Sequence, residues 1–338
     1  MLVLLFLTSI ALTAVTVGLS GCNSVIIRSL LPIFGLPALL WTLLMMMTFG
    51  ARFAGGSLAD FCSLADPDTR IAVAAYVLCI SYGGLSMLSL GASLIAPAAE
   101  NHSIWRRLAA LVAMVVLIPL NYFGILDDGL HAMVLFIIAG PAIVIALSES
   151  APLVSSVCEP FLKRGPLGKL VGLFFYPVWA SGVLFSVLLG VLGVVALLAH
   201  PAVRNNTYSV WNNEMITIML ALLGSLFFPA VWQTFFFRGD GQRLANYLLI
   251  LVGSYVMLGI LAMLADAMNN PDFIWFFAWN PLTFIILTSE GKAPDSFYLA
   301  WVCAVDGLLA LMLVTHALMI FRKSATVMDE TEATLHSD

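Results

Sequence analysis

Apolar runs of near-spanning length recur from one end of this chain to the other. They occupy 2–20, 30–50, 71–97, 108–126, 129–148, 170–199, 214–236, 245–265, 273–289 and 297–323. A hydrocarbon core about 30 Å thick takes about 20 apolar residues in helical form, because lipid offers the backbone no hydrogen-bond partner. The short alternating segments of a membrane barrel are absent. With 62% hydrophobic and 10% charged residues, the 338-residue chain has no stretch suited to a separate water-soluble domain. The expected fold is all-α: a polytopic transmembrane helix bundle of nine or ten hydrophobic segments. It forms one domain over 1–323, followed by a short polar tail at 324–338 that is expected to be disordered.

The segment 273–289 differs from the others. As an ideal helix its seventeen residues would rise only about 25 Å. Asn280-Pro281 sits at its centre, where proline removes a backbone donor and pushes its predecessor out of the helical region. The pattern predicts a re-entrant segment, broken at Asn280 and Pro281. Phe273, Trp275, Phe276, Phe277 and Trp279 would lie at the membrane interface. Elsewhere, 149–169 is expected to hold a short surface helix ended by Gly165-Pro166, and Pro177 a kink in a long sixth span.

A re-entrant 273–289 leaves nine full spans and puts the two ends on opposite sides. With the C-terminus inside, the inner cations are Arg28, Arg106, Arg107, Lys163, Arg164, Lys169, Arg238, Arg243, Arg322 and Lys323. The outer ones are Arg52, Arg70, Arg204 and Lys292, a ratio of ten to four in the direction that cytoplasmic loops prefer. If 273–289 spans instead, the ratio is nine to five. This balance predicts a cytoplasmic C-terminus; the expected location is a bacterial inner membrane. Leu19–Cys22 has the form of a lipoprotein cleavage box, but no Lys or Arg precedes its apolar run.

Asp306 is the one acid placed near the middle of a span. Burying a carboxylate there costs about 3 kcal/mol on insertion scales. Two readings stay open: a coupling or substrate contact, or a hydrogen-bonded packing determinant with Tyr255 or Ser254 as natural partners. His316 lies ten residues on, about 280° around the helix, so an Asp306–His316 relay is not expected. His131 and His200 fall near span ends.

Catalytic signatures are missing. There is no GxxxxGK[ST] loop, HExxH, GxSxG or GxGxxG, and the five cysteines form no CxxC pair. No cofactor, metal site or nucleic-acid surface is expected. The bilayer is the one partner the residues themselves demand.

Three stretches carry a family resemblance: the first span with its short basic link VGLSGCNSVIIRSL, the later link IAPAAENHSIWRRL, and the broken segment just before the last helix. Together they resemble membrane permease subunits of type-2 ABC exporters. Those permeases place a re-entrant hairpin between their last two spans and end in the cytoplasm, as 273–289 and 297–323 would here. The usual subunit has fewer spans and a cytoplasmic N-terminus. The resemblance implies a transport component without its own ATPase, served by a separate ATPase subunit, a second membrane subunit, or both. A non-catalytic membrane scaffold and a lipid-modifying membrane enzyme are the alternatives.

Overall fold

A computed structural model describes residues 101–126, 130–149, 153–204, 209–236, 243–268, 271–289 and 295–337, with scattered helical positions between Arg70 and Ser89. The first two apolar runs, the cleavage box and Lys292 lie outside the described residues. The helices are α1 (Ser103–Tyr122), α2 (Leu130–Ser148), α3 (Ser155–Leu162), α4 (Gly165–Phe175), α5 (Trp179–Ala199) and α6 (Pro201–Arg204). Then come α7 (Ser209–Phe236), α8 (Arg243–Met268), a 3-10 helix (Pro271–Phe277), α9 (Thr283–Ser289) and α10 (Asp295–Ser337). No strand occurs among the described residues.

Five of these helices contain stretches long and apolar enough to cross a membrane: Ser103–Tyr122, Trp179–Ala199, Glu214–Phe236, Arg243–Ala265 and Phe297–Lys323. Helix α2 runs between the same two ends of the bundle. Beside its start, His131 stacks on His200; just past its end, Glu149 bonds to α1. These six crossings are the fourth to eighth apolar runs and the last one.

Helices α5 and α7 form the centre. Helix α5 packs against α1, α2 and α10, and α7 against α10, α8, α2 and α9. Small residues let backbones approach in lipid. At Gly182 of α5 an added Cβ would overlap the carbonyl oxygen of Ala146 on α2. The outer face of α8 carries exposed Leu249, Val252, Val256, Ile260 and Met263, the composition that acyl chains require.

The direction of each helix follows from its contacts. The Arg243 guanidinium, at the start of α8, lies 5.4 Å over the Trp179 ring. Trp179, at the start of α5, meets His316 edge-on at 5.4 Å in the second half of α10. At the opposite end of the bundle, Trp275 of the 3-10 helix lies 5.8 Å from both Phe297 and Tyr298, which open the apolar part of α10. The 3-10 helix also packs on α8. Helices α8 and α10 therefore run antiparallel, and the segment between them leaves and rejoins the bundle at the same end. The two arms are seven residues each, with the break at 278–282.

Three features depart from expectation. The sixth run is two helices, not one kinked span: Tyr176 (ψ 143°) and Val178 (ψ 152°) are extended on either side of Pro177. Proline denies its predecessor the helical region, and here the chain turns instead of bending. Helix α1 starts at Ser103, so Arg106 and Arg107 lie in its first turns and not in a link. The stretch 324–337 continues α10 as helix. Extending an existing helix needs no nucleation, and Ala, Met, Glu and Leu favour it. The surface helix foreseen in 149–169 is α3, and the chain reverses at Gly165 (φ +72°).

Candidate functional site

One face of α7 organises the polar groups around the break. Gly224, Phe228 and Trp232 recur at i, i+4 and i+8, so they fall in one stripe. Asp306 of α10 rests on Gly224 so closely that an added Cβ would overlap its carboxyl. Trp279, beside the break, sits 5.4 Å from Phe228 and 5.7 Å from Trp232. The sequence-marked acid and the broken segment thus meet the same stripe of a third helix.

The break is built by its own side chains. Asn280 is buried, and its Oδ1 accepts the Leu282 N–H at 3.2 Å. This is an Asx turn, the local bond that lets Asn lead into Pro281 without helix. The Thr283 hydroxyl donates to the Asn280 carbonyl at 2.7 Å, at the start of α9. Asn280 Nδ2 is buried with no hydrogen-bond partner among the described residues. Of the aromatics expected at the interface, Trp275 packs inward on Phe284 and Tyr298, whereas Phe276 is 81% exposed.

Asp306 Oδ1 is also buried without a hydrogen-bond partner among the described residues. The partners expected for it are engaged elsewhere: Ser254 donates to Ile250 O at 2.8 Å, and the Tyr255 hydroxyl lies 3.4 Å from Ser225 Oγ. Asp306 faces α7, not α8. Pro229 removes the N–H that would have bonded the Ser225 carbonyl, one residue from Gly224. One residue beyond Ser225, the Leu226 carbonyl accepts from Tyr247 at 2.5 Å. His316 lies against Trp179, away from Asp306.

Two polar clusters were not foreseen. At one end of the bundle, both carboxylate oxygens of Glu149 bind guanidinium groups, Oε1 to Arg106 and Oε2 to Arg107. All three side chains are at least nine-tenths buried. Arg107 also donates to the Phe174 carbonyl and lies 5.4 Å from the Phe185 ring centre. Asn101 and Ser103 donate to the Phe175 carbonyl at 3.0 and 3.1 Å. The carbonyls that α4 loses at the Pro177 break are thereby bonded to the start of α1. At the other end, the buried rings of His131 and His200 stack at 4.1 Å, and His200 Nε2 is 3.0 Å from the Leu126 carbonyl. Nearby, Asn121 donates to Ala196 O at 2.9 Å.

The sequence signal for the arginine cluster was adjacency alone. Its acid lies 42 and 43 residues away, beyond any local period. Among the described residues, no three His, Cys, Asp or Glu side chains are grouped so as to hold a metal ion.

Fold and site together define an all-α integral membrane protein with its polar groups buried between helices. No protein-family model, curated protein or solved structure matches the chain.

Proposed function

We propose that the chain is a membrane-transport component, a permease-like subunit similar to those of type-2 ABC exporters. It works by rearranging helices and draws energy from a separate ATPase subunit, with or without a second membrane subunit. The observation that carries this reading is the broken segment 271–289. It enters and leaves the bundle at one end, between the last two crossings, and meets the stripe of α7 that also holds Asp306. An acid whose Oδ1 has no hydrogen-bond partner among the described residues, with Pro229 freeing a backbone carbonyl close by, supplies polar groups that can exchange partners as helices shift.

Sidedness is part of the proposal. The Arg107 end holds Arg106, Arg107, Lys163, Arg164, Lys169, Arg243, Arg322 and Lys323. The other end holds Arg204, and Arg70, which begins the helical positions that lead to Ser89 beside Arg106. That bias supports a cytoplasmic Arg107 end and C-terminus, and the proposed membrane is a bacterial inner membrane.

The test uses single cysteines at Ser289 and Ser324 in a cysteine-free background. Ser289 should label only from outside and Ser324 only from inside. The reverse pattern overturns the re-entrant arrangement or the sidedness, and labelling of both from one side would mean that α10 does not cross. Mild extraction should co-purify an ATPase; its repeated absence sinks the exporter reading. Asp306→Asn should fold and lose transport, whereas full activity would leave Asp306 a packing group. One observation favours the second reading, a non-transporting scaffold: the buried Arg106–Arg107–Glu149 cluster ties the start of α1 to the end of α2, as a fixed joint would.

A further inference from the structure

The α3–α4 hairpin has a face that the bundle does not use. Helix α4 turns Gly168 and Gly172 inward, where added Cβ atoms would overlap the Phe161 carbonyl and the Tyr176 ring. Its other face presents Leu167, Leu170 and Val171, spaced i, i+3 and i+4, with exposures of 76%, 56% and 45%. Lys163 and Arg164 stand exposed at the turn beside them, and Lys169 lies within α4. Across Ser155–Phe175 three cations oppose one anion, Glu159, which pairs with Lys163 at 2.6 Å.

The hairpin's depth is fixed by the bundle. The bonds from Arg107, Asn101 and Ser103 to the Phe174 and Phe175 carbonyls tie the end of α4 to the start of a crossing helix. Helix α3 packs on α10. The hairpin therefore lies where spans begin and end, the level at which headgroups meet acyl chains. An apolar face flanked by cations at that level matches an interface bearing negative charge.

We infer that the exposed face of the α3–α4 hairpin binds anionic phospholipid. Leu167, Leu170 and Val171 enter the acyl boundary, and Lys163, Arg164 and Lys169 meet the headgroup phosphates. Neutral lipid satisfies the first set only, so the hairpin selects for charge.

The experiment uses the full chain, purified with mixed phosphatidylglycerol and phosphatidylcholine and examined by native mass spectrometry. The natural protein should retain phosphatidylglycerol preferentially. Replacing Lys163, Arg164 and Lys169 by Gln should weaken that preference about fivefold per charge. Arg322→Gln with Lys323→Gln, at the same end but off the hairpin, should leave it unchanged. A spin label on Leu167→Cys, in a cysteine-free background in vesicles, should collide with dissolved oxygen more than with a water-soluble nickel complex. Unchanged preference in the triple Gln variant overturns the inference. So does a loss of preference as large in the Arg322/Lys323 variant. A label reached chiefly by the nickel complex also overturns it and gives the face to an aqueous protein partner.

Discussion

Gly224→Ala tests the contact between α7 and Asp306 most directly. Alanine replaces glycine in a helix interior with a gain of about 1 kcal/mol when nothing stands in its way. Here the new methyl would overlap the Asp306 carboxyl. Overpacking of that kind costs about 1–3 kcal/mol, and rotation of the short Asp side chain keeps it toward the low side. In the natural background the net change is therefore about 0–2 kcal/mol of destabilisation. In an Asp306→Ala background the obstacle is gone, and the same substitution should stabilise by about 1 kcal/mol. The coupling between the two sites is then about 1–3 kcal/mol, above the roughly 0.5 kcal/mol within which independent sites add. Asp306→Ala alone removes a buried carboxyl oxygen with no partner among the described residues, so it should not destabilise. The assay is unfolding of the four purified variants in one detergent–lipid mixture. Equal effects of Gly224→Ala in both backgrounds would refute the contact and the stripe built on it.

Glu149→Gln should be far more damaging than Arg106→Gln. The first leaves two buried guanidiniums without an anion, a loss of about 3–5 kcal/mol, whereas the second leaves a neutral Arg107–Glu149 pair; folded yield and melting in detergent compare them. Gly165→Ala should cost about 1 kcal/mol, because φ is +72° while the space around it is open. Gly165→Asn should cost less, since Asn tolerates that region, and the same melts check the order. Burial pushes the Cys158 thiol up to about 11, so it stays protonated at neutral pH. A polar maleimide should react with it slowly at pH 7–8 and faster as pH climbs toward 11, and at the ordinary rate once the chain is unfolded. Rapid labelling of the folded protein at pH 7 would contradict the burial of α3.

Much of this architecture is written in one-dimensional signals. Five of the described crossings follow from apolar length, the break at Asn280-Pro281 from proline chemistry, and α3 with its glycine stop from local turn rules. The same local rules understate Pro177. A proline within an apolar run reads as a kink, yet the α4 carbonyls it exposes have acceptable partners only because Asn101, Ser103 and Arg107 lie beside them. Those donors come from about 70 residues away, as the separations of 67 to 74 show. Where such donors are in reach, breaking the helix costs little, and whether they are is a tertiary fact.

Arg106 and Arg107 show how far a charge-counting rule reaches. Each counts as an inner cation, but the rule assumes that a cation near a span end extends into water. Here both turn inward onto Glu149, and their bonds join the start of α1 to the end of α2 and to α4. Asp306 gives the opposite lesson. Its depth on α10 marked it as costly, and its Oδ1 is buried. Its neighbour, however, is the backbone at Gly224, a residue whose only sequence signal is the absence of a side chain. A pairing search over polar residues looks past such a site. Among the described residues Asp306 Oδ1 therefore has no hydrogen-bond partner, because the group it faces is a backbone position that carries no side chain.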